Sequence, residues 1–250
     1  MATGDRDGAE FGIAVSTAGD VNNDGYSDVI VGAYKYTEIL WVTPWREGAA
    51  FVYHGSSAGL TAGSADWMAK GGQESAKFGL AVSTAGDVNG DGYSDVAVGA
   101  HHYANGQSSE GAVLVYHGSS TGLATGPADW MVEGNQEGAG YGFAVSTAGD
   151  VNGDGYSDLI VGAPTYNGNH MDEGGAFVYL GNGGGGLSVR PRQLRSDTPL
   201  SPPHGGEVGQ TPLSPPHGGE VGQTPLGSPH VGEVGQTPLS PSYGGGAGQT

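Results

Sequence analysis

Residues 14–28 read AVSTAGDVNNDGYSD, and the phrase returns as AVSTAGDVNGDGYSD at 81–95 and again at 144–158. Each copy sets side-chain oxygens at alternate positions ahead of a glycine and closes with a further acid. The sets are Asp20, Asn22, Asp24 and Asp28, then Asp87, Asn89, Asp91 and Asp95, then Asp150, Asn152, Asp154 and Asp158. Hard oxygen donors at loop positions one, three and five, with a glycine at six, are the pattern a calcium ion selects. In the first copy Asp20, Asn22 and Asp24 offer side-chain oxygens, Tyr26 its backbone carbonyl, and Asp28 a closing bidentate carboxylate. Tyr93 and Tyr156 take the place of Tyr26 in the other two copies. An EF-hand is excluded, because its loop closes with a glutamate and is flanked by helices. A metal-free Asp-Gly hairpin explains the turn but not the fourth oxygen at Asp28, Asp95 and Asp158. Three structural calcium sites are expected. They would not activate water, since no general base or open-site histidine accompanies them.

Working outward, the copies set the chain's period. Phe11-Gly12, Phe78-Gly79 and Tyr141-Gly142 precede them at spacings of 67 and 63 residues. Each acidic loop runs into an apolar stretch: Val29–Ala33, Val96–Ala100 or Leu159–Ala163. A variable loop and a second apolar stretch follow, Ala50–Tyr53, Val113–Tyr116 or Ala176–Tyr179, and then Ala65-Asp66-Trp67-Met68 or Ala128-Asp129-Trp130-Met131. Short β-branched and aromatic runs punctuated by Gly, Asn, Asp and Ser are strands, roughly four per unit. Four antiparallel strands in about 65 residues describe a propeller blade. The fold class read from the sequence is all-β: a partial β-propeller of three four-stranded blades followed by a disordered C-terminal tail.

Composition narrows the function classes. Glycine supplies 51 of 250 residues, which disfavours long helices, and cysteine is absent. A formal charge of −18 argues against nucleic-acid binding and against attraction to anionic membranes. No run approaches the length of about 20 apolar residues that spans a bilayer. The start, MATGDRDGAEFG, lacks the basic and apolar regions of a secretory signal.

The expected boundaries are 1–10 for the remnant of a preceding blade, 11–77, 78–140 and 141–187 for three blades, and 188–250 for the tail. Met1 lies ten residues before Phe11, as Met68 and Met131 lie ten before Phe78 and Tyr141, which suggests a segment of a longer propeller. From Thr198 a low-complexity repeat, TPLSPPHGGEVGQ and its variants, offers too few apolar groups to offset its ordering entropy.

The Phe-Gly pairs, the acidic loops and the Gly32-Ala33-Tyr34, Gly99-Ala100-His101 and Gly162-Ala163-Pro164 triplets together resemble FG-GAP repeats. These are the blade units of integrin α-subunit propellers and of many bacterial surface proteins. Only the third unit has the full Gly-Ala-Pro, and only the first two have Phe-Gly. The resemblance covers roughly residues 1–187. It implies calcium in the loop joining the first two strands of each blade, an extracellular or cell-surface setting, and a protein or glycan ligand met on the opposite face.

The functional expectation is a non-catalytic, calcium-binding scaffold or adhesion-type module. The rival readings are an accessory segment of a secreted hydrolase or lyase, and a truncated fragment without function. Trp67 and Trp130 recur at one repeat position and are assigned to blade packing. Trp41 and Trp45 lie in a loop four residues longer than its counterparts and are the candidate ligand-facing pair. His101, His102, His54 and His117 are expected at the surface, with no metal spacing. Open blade edges are expected to favour self-association.

Overall fold

The computed structural model describes residues 4, 6–37, 46–60, 63–188 and 191–194. Trp41, Trp45, Met1 and the low-complexity repeat lie outside the described residues. Three four-stranded antiparallel sheets follow one another along the chain. The first is β1 (Ala14–Gly19), β2 (Asp28–Ala33), β3 (Ala49–Tyr53) and β4 (Trp67–Lys70). The second is β5 (Ala81–Gly86), β6 (Asp95–Ala100), β7 (Ala112–Tyr116) and β8 (Trp130–Glu133). The third is β9 (Ala144–Gly149), β10 (Asp158–Ala163), β11 (Gly175–Tyr179) and β14 (Arg192–Leu194), with a small ribbon of β12 (Gly181–Asn182) and β13 (Gly186–Leu187).

Sequential strands pair within each sheet, and the register is the same in all three. Ala14 faces Gly32, Ala81 faces Gly99 and Ala144 faces Gly162. Each first pair carries a bulge where the acidic loop begins, at Thr17/Gly19, Thr84/Gly86 and Asp158/Leu159. The extra residue twists the strand into the loop. The first strands β1, β5 and β9 lie beside one another, so the sheets fan outward as blades.

Alternation on each strand gives every blade two apolar faces. On β6, Val96 and Val98 turn toward the first blade while Ala97 turns toward the third. The first interblade core joins Ala18, Val21, Ile30, Val52 and Trp67 to Phe78, Val82, Val96, Val98 and Tyr116. The second joins Ala85, Val88, Val113 and Val115 to Tyr141, Leu159, Val161, Phe177 and Tyr179. Trp67 meets Tyr116 and Trp130 meets Tyr179 edge-on, so the recurring tryptophans do pack blade against blade.

One boundary is corrected. The tail was expected to carry no structure from residue 188, yet Arg192–Leu194 forms the fourth strand of the third blade, with Val178 opposite Arg192. The ladder is made by backbone groups, and β11 offers its outer N–H and C=O groups to any segment of chain. The side chains Arg-Gln-Leu therefore pair without the Asp-Trp-Met signature of the other two blades.

Candidate metal loops and the opposite face

The acidic loops join the first and second strands of each blade, and their side chains fold inward on their own backbone. In the first loop Asp20 Oδ1 accepts the N–H of Asp24 at 3.0 Å and Oδ2 accepts that of Gly25 at 2.8 Å. Asn22 Oδ1 accepts from Asp24 N, and Asp24 Oδ1 accepts from Tyr26 N at 3.0 Å. The same bonds recur at Asp87, Asn89 and Asp91 and at Asp150, Asn152 and Asp154. Gly25, Gly92 and Gly155 sit at φ of 89°, 90° and 92° with open space where a Cβ would be, so backbone conformation alone selects glycine there. The first loop places Asn23 at φ 55° where the others have Gly90 and Gly153. Asparagine is among the few side chains that accept this region.

The closing acids behave differently. Asp28, Asp95 and Asp158 are fully buried at the start of the second strand. Asp28 Oδ2 accepts Val21 N and Oδ1 accepts Gly55 N, both at 2.8 Å. Asp95 holds Val88 and Gly118, and Asp158 holds Val151 and Gly181, in the same manner. Each closing carboxylate thus ties its loop to the turn after the third strand. Desolvation raises the Asp28 pKa against its two backbone donors, and pushes that of Asp95 up to about 7, with Asp91 and Asp87 adding repulsion. Asp150, at the loop surface, is lowered chiefly by the Gly155 N–H.

The donor set is all oxygen, with three carboxylates and one amide in each loop, which suits a hard divalent cation. Among the described residues no three acidic or histidine side chains converge closely enough to form a finished metal cage. The loop carboxylates are held by backbone N–H groups instead.

The first two loops also carry the blade that follows. Asp20 and Val21 carbonyls accept from Ser94 N and Ser119 N, and Asp87 and Val88 carbonyls from Ser157 N and Asn182 N, all at 2.9–3.0 Å. A loop held rigid therefore holds the next blade in place.

At the other end of the sheets, a hollow of about 220 Å³ lies between the second and third blades, bordered by His101, His102, Phe143, Pro164 and Thr165. Phe143 is half exposed and its ring stands 5.2 Å from that of His101. His101 was expected at the surface but is buried, with Nδ1 unpaired among the described residues. The loops of the neighbouring blade cover it, a proximity that no spacing along the chain reveals. Burial lowers its pKa to about 4, with His102 and Lys77 adding smaller repulsive effects. No helix among the described residues is long and apolar enough to cross a membrane.

This combination of repeated blades, bulged acidic loops and Gly-Ala corners defines a class of propeller repeat. The FG-GAP repeat pattern matches residues 11–53, 78–116 and 141–186, and the chain belongs to that family. Its relatives include integrin alpha-PS2 of Drosophila melanogaster, 36% identical over 168 residues, and integrin alpha-8 of Gallus gallus, 36% over 167. Human integrin alpha-IIb is 35% identical over 161 residues. In each case the match takes in 64% of this chain but only 12–15% of the relative.

Proposed function

We propose that the chain is a non-catalytic, calcium-binding propeller segment of an extracellular or cell-surface adhesion-type module. The loops hold the blades from one end, and a protein or glycan partner is met at the other. The observation that carries this reading is the three-fold recurrence of one oxygen-lined loop, whose carbonyls in the first two copies hold the following blade. Side-chain oxygens of Asp20, Asn22 and Asp24, the carbonyl of Tyr26 and a remaining lone pair of Asp28 would hold the first ion. Asp87, Asn89, Asp91, Tyr93 and Asp95 would hold the second, and Asp150, Asn152, Asp154, Tyr156 and Asp158 the third. A bound cation neutralises the loop carboxylates and favours the ionised form of the buried closing acid. The kinship with integrin α subunits supports the adhesion setting.

Calorimetric titration with calcium tests the metal. The expected result is three sites in the intact chain and two in Asp24→Ala, with a melting temperature that rises with calcium. A melting curve unmoved by millimolar calcium overturns the assignment.

A further inference from the structure

A glutamate precedes the third strand in every blade, as Glu47, Glu110 and Glu173, and each is followed by glycine. Their partners differ. In the first blade Glu47 faces the ammonium of Lys70 at 4.0 Å. In the third, both oxygens of Glu173 accept loop N–H groups, from Asn169 at 2.8 Å and His170 at 3.0 Å. In the second, Glu110 is 1% exposed and its Oε1 accepts Asn105 N at 2.6 Å. Its Oε2 is buried with no hydrogen-bond partner among the described residues. A buried carboxylate oxygen left unpaired is costly, and the other two blades do not carry that penalty.

The register shows what the second blade lacks. Ala49 lies opposite Lys70 in the first blade, and Ala112 lies opposite Glu133 in the second. The lysine that answers Glu47 is therefore replaced by a second acid at the same place. Asn105 joins the two acids: its backbone N–H goes to Glu110, and its Nδ2 donates to Glu133 Oε1 at 2.9 Å. Both carboxylates also bear on one phenol. Burial pushes the Tyr103 pKa up, and Glu133 and Glu110 add to it by repulsion. Among the described residues no Lys, Arg or His pairs with either acid. Two carboxylates thus stand where the first blade balances one with an ammonium. This place lies in the middle blade, with a neighbour packed on each side.

We propose that Glu110, Glu133 and Asn105 hold a calcium ion at the end of the sheets opposite the acidic loops. Glu110 Oε2, the Glu133 carboxylate and the amide oxygen of Asn105, once rotated toward the ion, are the protein donors, and water completes the shell. A bare ion suits the place better than a partner's lysine, because Glu110 lies too deep for the side chain of another molecule. Glu133 is half-buried and Asn105 exposed, so these two swing aside to admit the ion. All the donors are oxygens on flexible side chains, which favours calcium over the strict octahedron of magnesium. The ion does for the second blade what Lys70 does for the first. It ties the loop ahead of the third strand to the end of the fourth. With two carboxylates against three in each acidic loop, the site is the weaker and fills after the loops, with a dissociation constant of about 0.1–1 mM. It does not depend on the loops binding calcium.

Equilibrium dialysis of the full chain against labelled calcium, up to about 10 mM to exceed that constant, tests this beside Glu133→Gln and Glu133→Lys. Wild type should bind one ion more than either variant. The counts are four against three when the acidic loops bind, and one against none when they do not, so the two readings fail separately. In chelator Glu133→Lys should melt above wild type, because an ammonium again faces the buried acid. Saturating calcium should narrow that gap, since only wild type gains the ion here. Glu133→Gln keeps the contact with Asn105 and should retain the sheet spectrum, which guards against a lysine variant that fails to fold. Equal ion counts in wild type and Glu133→Gln overturn the proposal. So does a melting difference between wild type and Glu133→Lys that calcium leaves unchanged.

Discussion

The indole of Trp67 meets the ring of Tyr116 edge-on, with centroids 4.9 Å apart and planes at 69°, across the boundary between the first and second blades. Its Nε1 donates to the Ala124 carbonyl at 2.9 Å, so the indole's polar end is satisfied within the next blade. Trp130 repeats the ring contact with Tyr179 at 5.0 Å but is only half-buried. Trp67→Ala is therefore expected to cost about 3–5 kcal/mol, the range for removing a buried aromatic. Trp130→Ala should cost less, and urea denaturation of the two variants gives the order. Equal losses would mean that the wider burial of Trp67 contributes nothing.

The glycine of each Gly-Ala corner yields a sharper contrast. A Cβ at Gly32 would overlap the Gly79 carbonyl oxygen, and one at Gly99 would overlap that of Gly142, both on the neighbouring blade. At Gly162 the nearest atom to such a Cβ is Ala144 Cβ, at 3.4 Å. Gly99→Ala should destabilise by at least about 1–3 kcal/mol, since backbone must move. Gly162→Ala should lie within about 1 kcal/mol of wild type, with Gly-to-Ala entropy in its favour. Thermal melting of the pair measures the difference, which the shared Val-Gly-Ala context alone would not foresee.

The fold was legible because the repeat fixes everything that depends on period: strand order, register, loop placement and the packing role of Trp67. Relations that the period does not encode were less visible. Arg192–Leu194 joins β11 through backbone groups, so its side chains gave no sign of a strand. His101 is buried by Phe143 and the loops of another blade, a neighbour set by how blades stack. At the acidic loops, the recurring Asp and Asn positions were readable as one turn repeated three times. The backbone bonds that bury Asp28 against Val21 and Gly55 were not, because Gly55 is 27 residues away along the chain.

The departure from Phe-Gly in the third unit has a structural consequence. Tyr141 Oη and Tyr179 Oη share a buried hydrogen bond of 2.6 Å, and burial raises the Tyr141 pKa so that the phenol stays protonated. Tyr141→Phe leaves the Tyr179 hydroxyl without this partner and should cost about 1–3 kcal/mol. Tyr141→Phe combined with Tyr179→Phe should cost less than the two single changes added together, because no orphaned hydroxyl remains. A double-mutant cycle by denaturation reads the coupling; strict additivity would show that the bond contributes nothing.

His101 gives the protein an acid sensitivity with a defined sign. Its folded pKa of about 4 lies below the ordinary 6.5, so the unfolded chain takes up the proton first as pH falls. The stability from keeping the ring neutral is complete above 6.5 and is lost as pH drops toward 4, at up to about 1.4 kcal/mol per pH unit. His102 and Lys77 add positive charge in the same direction. His101→Phe should flatten this part of the stability profile between pH 6.5 and 4 while leaving the neutral-pH slope alone. An unchanged acid limb would place the sensitivity elsewhere.

The loops are not equivalent in what they support, and that sets the last expectation. Asp87 shapes a loop whose carbonyls at Asp87 and Val88 hold Ser157 and Asn182 of the third blade. Asp150 shapes the same loop one blade later, where Val151 is 58% exposed and carries no such partner among the described residues. With calcium chelated, Asp87→Ala should therefore lower the melting temperature further than Asp150→Ala. Restoring calcium to a hundred times the dissociation constant should stabilise the wild type by about 2.7 kcal/mol for each loaded site. Each variant should recover less than wild type by one site's share, because a single loop has lost its first carboxylate. Equal melting of the two variants in chelator would mean that the acidic loops hold only themselves and do not help to fasten one blade to the next.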